Sequence, residues 1–176
     1  RGKAFAIGPR LRRLARAGNS HLDLPHVVKP FIDDLAERLV LTVKVSRVVE
    51  GEVEVIQFSA PRTKYKISVD IGERFPLHGG AASKVLLAFL PAAIREAYLR
   101  SNLESFTSNT LTNPMRLAET LTQIRRDRVA YDNEEVEEGI MAVAFPVLDA
   151  AHDVVCALSV PFIVRTTGAQ DDLARI

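Results

Sequence analysis

The sequence predicts an α+β domain, an antiparallel sheet of about five to six strands with helices packed on it. Three observations predict it. Short alternating or continuously apolar segments return on themselves as hairpins, where βαβ repeats would alternate single strands with helices. Helical periodicity is confined to separate stretches before and between those segments. The 176 residues, 47% of them hydrophobic, suffice for one sizeable core.

The elements follow in order. Arg1–Ile7 reads as the end of a strand. Pro9 is suited to the first turn of a helix. A short helix over Arg10–Ala17 then carries Leu11 and Leu14 on one face and stops at Gly18-Asn19-Ser20. Pro25–Leu39 is an amphipathic helix, with Val27, Val28, Phe31, Ile32, Leu35 and Leu39 at helical spacing and Pro30 as a potential kink. Leu41–Val49 alternates and predicts a strand. Glu50-Gly51-Glu52 turns the chain, and Val53–Ser59 returns as the second half of a hairpin. Lys66–Ile71 alternates again and predicts a third strand, followed by a loop over Gly72–Pro76. Gly80–Leu90, rich in Ala and Leu, predicts a largely buried helix, and Pro91 opens the next one over Ala92–Ser101. Phe106–Asn113 is polar and predicts a loop ending in a cap, Thr112 or Asn113, for a helix over Pro114–Arg126. Val129–Asn133 is a short strand entering an acidic loop. Ile140–Leu148 and Val154–Ile163 predict two central antiparallel strands joined at Asp149–Asp153, and residues after Thr166 open a last helix.

Composition excludes several function classes. The sequence has no Trp and only 6% aromatic residues, a poor surface for stacking single-stranded nucleic acid. Its single cysteine, Cys156, rules out an internal disulfide and a thiolate metal cluster, and its apolar surroundings predict a buried, inert thiol. A reducing, cytoplasmic setting fits. No apolar run reaches the length of a membrane span, and no signal peptide is visible. The net charge of +1 conceals an asymmetry: residues 1–22 hold six Lys or Arg and no acid, leaving 17 basic against 22 acidic residues in the rest. A basic end on an acidic body is expected either to face an anionic partner such as DNA or to be simply solvated.

Searches for catalytic and metal chemistry return little. There is no G-x-S-x-G nucleophile elbow, and His78-Gly79-Gly80 lacks a partner nucleophile. Gly79–Lys84 fails as a phosphate loop because Ser83 and Val85 stand where Gly and a magnesium-binding hydroxyl are required. His21 and His26 are five apart with Pro25 between them, so no metal site is expected. The acidic run Asp132-Asn133-Glu134-Glu135 with Glu137 and Glu138 lacks the pattern of a calcium loop, and most of these carboxylates are expected in solvent. Asp132 and Lys84 lack any partner constellation in sequence, so no enzyme and no cofactor are expected. The positive feature is Gly79-Gly80-Ala81-Ala82-Ser83, tiny residues leading into an apolar helix. Read alone, they serve two ends equally: a carboxylate cradle at exposed N–H groups, or close helix–sheet packing.

Five segments in order, FAIGPR (Phe5–Arg10), FPLHGGAASKVLLAFL (Phe75–Leu90), YDNEEVEEG (Tyr131–Gly139), AVAFPVLD (Ala142–Asp149) and ALSV (Ala157–Val160), resemble those of IclR-family transcriptional regulators over essentially the whole chain. The stretch around His78 and Lys84 and the D-x-E-E-x-x-x-G segment carry most of the specificity. The resemblance implies a GAF-like effector-binding domain over 20–176. It implies that 1–19 are the end of a winged-helix DNA-binding domain and the linker helix. A start at Arg1 with no Met is expected of a piece of a longer protein, its helix-turn-helix lying upstream. A homodimer or tetramer, a small organic acid effector and operator DNA are the implied partners, and a stand-alone GAF-like sensor is the alternative.

By position, the resemblance gives backbone N–H groups at Ala81 and Ala82 to a ligand carboxylate, and gives Asp132 and Ser159 to its polar groups. Ile67, Phe75 and Ile140 match apolar walls. Family members that sense two- or three-carbon acids have Gly in place of Ala81, Cys in place of Ala142 and a second Ser in place of Pro161. Fewer polar partners disfavour a small, very polar ligand. The expected effector is therefore a larger or more apolar acid, aromatic or branched.

Overall fold

A sheet of six antiparallel strands organises the described part of the chain, residues 24–63 and 66–164 of a computed structural model. The elements expected at Arg1–Ile7, at Arg10–Ala17 and after Thr166 lie outside the described residues. The strands are β1 (Val43–Val49), β2 (Glu52–Ser59), β3 (Arg74–Phe75), β4 (Ala130–Asn133), β5 (Ile140–Leu148) and β6 (Val154–Ile163). Their order is β3-β2-β1-β6-β5-β4, so β1 and β6 form the central pair and β5 lies one place outward. The helices are α1 (Leu24–Leu39), α2 (Ala81–Phe89), α3 (Ala92–Leu99) and α4 (Pro114–Asp127).

The hairpin β1–β2 closes on Glu50 and Gly51, both at positive φ (53° and 88°), the two-residue geometry that matches strand twist. Ile56 is the extra residue of β2 where the register shifts opposite Val45/Ser46, so alternation along β1 is unbroken. Asn113 caps α4, its side chain accepting from the N–H groups of Met115 and Arg116. Pro30 removes one helical hydrogen bond without ending α1.

Both faces of the sheet are covered. On one, α1 lies over β1 and β2, and its Ile32 and Ala36 share a core with Val43, Val45, Ile56, Val143, Cys156 and Val160. Burial there pushes the Cys156 thiol up to about 11, which keeps it inert. On the other face, α2 packs on Val53, Ala142, Ala144 and Ala157, and Leu117, Leu121 and Ile124 of α4 join the same core from the outer side of α2. Three alanines on the strands let α2 approach closely, and Ala81–Ala88 are buried without a break. A helix apolar all round is one surrounded by protein.

One expected element is overturned. Lys66–Ile71 is not a strand, and the expected loop over Gly72–Pro76 contains β3. The backbone of Val55, which a third strand would use, is already engaged: Gly72 N–H donates to its carbonyl at 2.8 Å, and its N–H donates to Glu73 O at 2.9 Å. The preceding residues cross the end of the sheet as an extended strap, tied by Thr42 Oγ1 donating to Ile67 O (2.9 Å). The alternation that mimics a strand is an extended chain whose residues 67–69 line a cavity.

Candidate functional site

The strap, β3, the first turn of α2 and the central strands enclose a cavity of about 120 Å³. Its floor follows from strand register. Asp132, Ala142 and Pro161 stand side by side across β4, β5 and β6, and Lys44 stands beside Ser159 across β1 and β6. Alternation places Ser46 on the same face as Lys44. Phe75 and the strap residues Ile67, Ser68 and Val69 form one wall, and Val136 and Ile140 another.

The fourth side is the start of α2. Gly80 has φ 86°, a conformation open to glycine, and a Cβ there would stand 3.2 Å from Asp132 Oδ2 and 3.3 Å from Val136 Cγ2. The glycine thus allows Asp132 and the helix start to meet. No side chain caps this end. The first-turn N–H groups of Ala81, Ala82 and Ser83 have no earlier helical carbonyl to bond, and the helix adds partial positive charge there. The arrangement suits an acceptor oxygen, above all an anionic one.

All nine residues singled out from sequence, Ile67, Phe75, Ala81, Ala82, Asp132, Ile140, Ala142, Ser159 and Pro161, line this one cavity. Asp132 is buried, and its Oδ1 accepts from Glu135 N–H at 2.8 Å. Burial holds its carboxyl above the usual value, outweighing the Glu135 N–H bond and the charges of Lys84 and Lys44. Ser159 Oγ is buried with no hydrogen-bond partner among the described residues.

Sequence reasoning missed several polar residues at or beside the cavity, Glu73 and Glu137 among its lining. Lys44 and Ser46 line the cavity, although alternation alone put them on a face with no known neighbour. Desolvation pulls the Lys44 ammonium below its usual value, against the fields of Glu73 and Asp132. Glu135 was expected in solvent with its neighbours. Glu138 is exposed and Glu137, also exposed, lines the cavity, but Glu135 is buried against Lys84 in a salt bridge, and Lys84 Nζ also donates to Tyr131 O at 2.7 Å. Lys84 therefore does have partners. The signal was present: a lysine inside an otherwise apolar helix needs a buried anion. The pair ties α2 to the β4–β5 connection and fixes the cavity's edge. His78 plays a similar part, bonded through Nδ1 to the Tyr98 hydroxyl (2.7 Å) and through Nε2 to Glu104 O (2.8 Å). A carbonyl only accepts, so Nε2 carries a proton.

Comparison with known proteins places this geometry in a family. Residues 17–174 match the family model described as bacterial transcriptional regulator IclR C-terminal. The chain is 34% identical over 171 residues to the HTH-type transcriptional regulator Rv1719 of Mycobacterium tuberculosis, covering 97% of this chain and 65% of that protein. It is 28% identical over 162 residues to the Pca regulon regulatory protein of Pseudomonas putida, covering 90% of this chain and 55% of that protein. Among solved structures, a double mutant of the PobR inducer-binding domain from Acinetobacter, in complex with 3-hydroxybenzoic acid, superposes with a TM-score of 0.74 at 27% identity, covering 85% of this chain and 90% of that one.

Proposed function

The chain belongs to the IclR family of bacterial transcriptional regulators as a C-terminal, ligand-sensing domain, and from that premise we propose that its cavity binds an organic acid with a compact aromatic or branched body. The observation that carries this reading is the convergence of an uncapped helix end, a buried acid and an unpartnered serine on one small cavity. The carboxylate lies against the N–H groups of Ala81 and Ala82. Asp132 and Ser159 take the polar groups of the ligand. Ile67, Phe75, Ile140, Ala142 and Pro161 enclose its body.

Size and polarity both favour a ring-sized acid. The cavity measures about 120 Å³ and is partly open to solvent, so a ring-sized acid fits with part of its body at the mouth. A relative's inducer-binding domain holds such an acid, the 3-hydroxybenzoic acid of the PobR complex. Ala142 and Pro161 offer no side-chain hydrogen bond, which leaves a two- or three-carbon oxoacid short of partners.

The chain spans 65% and 55% of the two curated relatives. In the full regulator, residues 20–176 form the sensing domain, and 1–19 join it to a helix-turn-helix reader of operator DNA. The regulator works in the cytoplasm as a homodimer or tetramer. Its role is allosteric rather than catalytic, in keeping with relatives that are named as regulators.

A thermal-shift screen tests the ligand class. A ligand at about 100 times its Kd stabilises by roughly 2.7 kcal/mol, or about 5–11 °C for a domain of this size. Benzoate and hydroxybenzoates are expected to raise the melting temperature, and glyoxylate and pyruvate to leave it unchanged. The reverse pattern would sink the reading.

A further inference from the structure

Lys44 and Ser46 have no part in the binding scheme above, yet both line the cavity. Ser46 is 1% exposed, and its hydroxyl finds no hydrogen-bond partner among the described residues. Ser159, on the neighbouring strand, is 0% exposed and in the same condition. Buried hydroxyls without partners are uncommon in folded proteins. Two of them stand on one face of the central strands, and both line the cavity.

Lys44 stands beside Ser159 in register. Its ammonium sits 4.6 Å over the Phe75 ring. The carboxylates of Glu73 and Asp132 act on it by field alone. A half-buried ammonium sheltered by an aromatic wall has given up water and is served best by an oxygen brought in by a ligand. Lys44 belongs to the sheet floor, whereas the first turn of α2 forms another side of the cavity.

We propose that Lys44, with Ser46 behind it, is a second polar subsite that selects acids carrying a further oxygen group, hydroxyl or carboxylate, on their body. This rests on the organic-acid reading above. One carboxylate lies at Ala81–Ala82, the ring fills the space between, and the second oxygen accepts from Lys44 Nζ and the Ser46 hydroxyl. The pair reads the substituent, whereas the helix end reads the acid common to the class.

The test is calorimetric titration of the chain and of Lys44→Met with benzoate, 3- and 4-hydroxybenzoate, isophthalate and terephthalate. The wild-type chain is expected to bind at least one substituted acid about tenfold more tightly than benzoate, equivalent to about 1.4 kcal/mol. Hydroxybenzoates ahead of the diacids identify a neutral second oxygen, and the diacids ahead identify a charged one. Lys44→Met is expected to bring that ratio within about twofold, weakening the preferred substituted acid more than benzoate. Lys44→Gln carries the same expectation should the Met variant fail to fold. Equal binding of all five acids by the wild type overturns the subsite and leaves the organic-acid reading standing. A variant that weakens benzoate as much as the others also overturns the subsite. Binding of none of the five overturns the aromatic-acid reading, and the subsite with it.

Discussion

At the scale of single residues, the site is built from polar groups held away from water. Asp132 is the clearest case. Burial is the largest influence on its carboxyl and raises it, while Glu135 N–H, Lys84 and Lys44 pull the other way. The folded pKa lies above the ordinary one, so the ionised form costs the native state. That cost is full above the raised pKa and vanishes below the ordinary carboxylate value, where folded and unfolded chains are both protonated. Asp132→Asn keeps an oxygen to accept from Glu135 N–H but removes the charge. The variant is expected to melt at or above the wild type at pH 7, with the gap closing as pH falls through the carboxylate range. Its affinity for the organic acid is expected to drop about tenfold, the loss of roughly one hydrogen bond to a charged group. Melts followed by circular dichroism from pH 7 to pH 4, with titrations at pH 7, check both. A variant that melts well below the wild type at pH 7 would mean that ionised Asp132 stabilises the fold through the two lysines.

At the scale of elements, the start of α2 is where backbone geometry becomes chemistry. Gly80 holds a positive φ that a side chain resists, and a Cβ there crowds Asp132 Oδ2 and Val136 Cγ2. Gly80→Ala is expected to cost about 1–3 kcal/mol of stability, the usual range for a strained backbone position. It should weaken ligand binding further, because the added methyl group enters the cavity. Urea unfolding and titration with a hydroxybenzoate measure the two effects, and full retention of both would contradict the proposed cradle. Elements whose pattern and packing agree were legible in the sequence. β5 and β6 match their apolar runs residue for residue, and Asn113, one of the two caps the sequence offers, caps α4. Elements whose pattern has two physical causes were not. Lys66–Ile71 alternates because it is extended over a cavity, and periodicity does not distinguish that from a paired strand. The candidate site was legible through the order of its motifs, which drew Ala81, Asp132 and Ser159 into one group. Lys44, Ser46 and Glu135 escaped because each depends on partners distant in sequence: a sheet covered on both faces, and Lys84 reached across 51 residues.

At the scale of the whole molecule, the sheet separates two packed layers. α1 lies on one face; α2, α4 and the cavity lie on the other. A ligand in the proposed site would touch the strap, the start of α2 and the β4–β5 connection, the last two already tied by the Lys84–Glu135 pair. Tightening these contacts stabilises one arrangement of the domain. It biases a DNA reader only to the extent that the ligand prefers that arrangement, because an effector with equal affinity for both states shifts nothing. The coupling in such systems is about 1–3 kcal/mol, or roughly 5–150-fold in affinity. The full regulator containing this domain is therefore expected to change its operator affinity by a factor in that range when the acid is added. By linkage, operator DNA must change acid affinity by the same factor. Fluorescence anisotropy of labelled operator with and without acid gives the first factor, and calorimetric titration of acid with and without operator gives the second. Two unequal factors would exclude a simple thermodynamic coupling between the sites. Two factors of one would leave the cavity a binding site with no regulatory output to DNA.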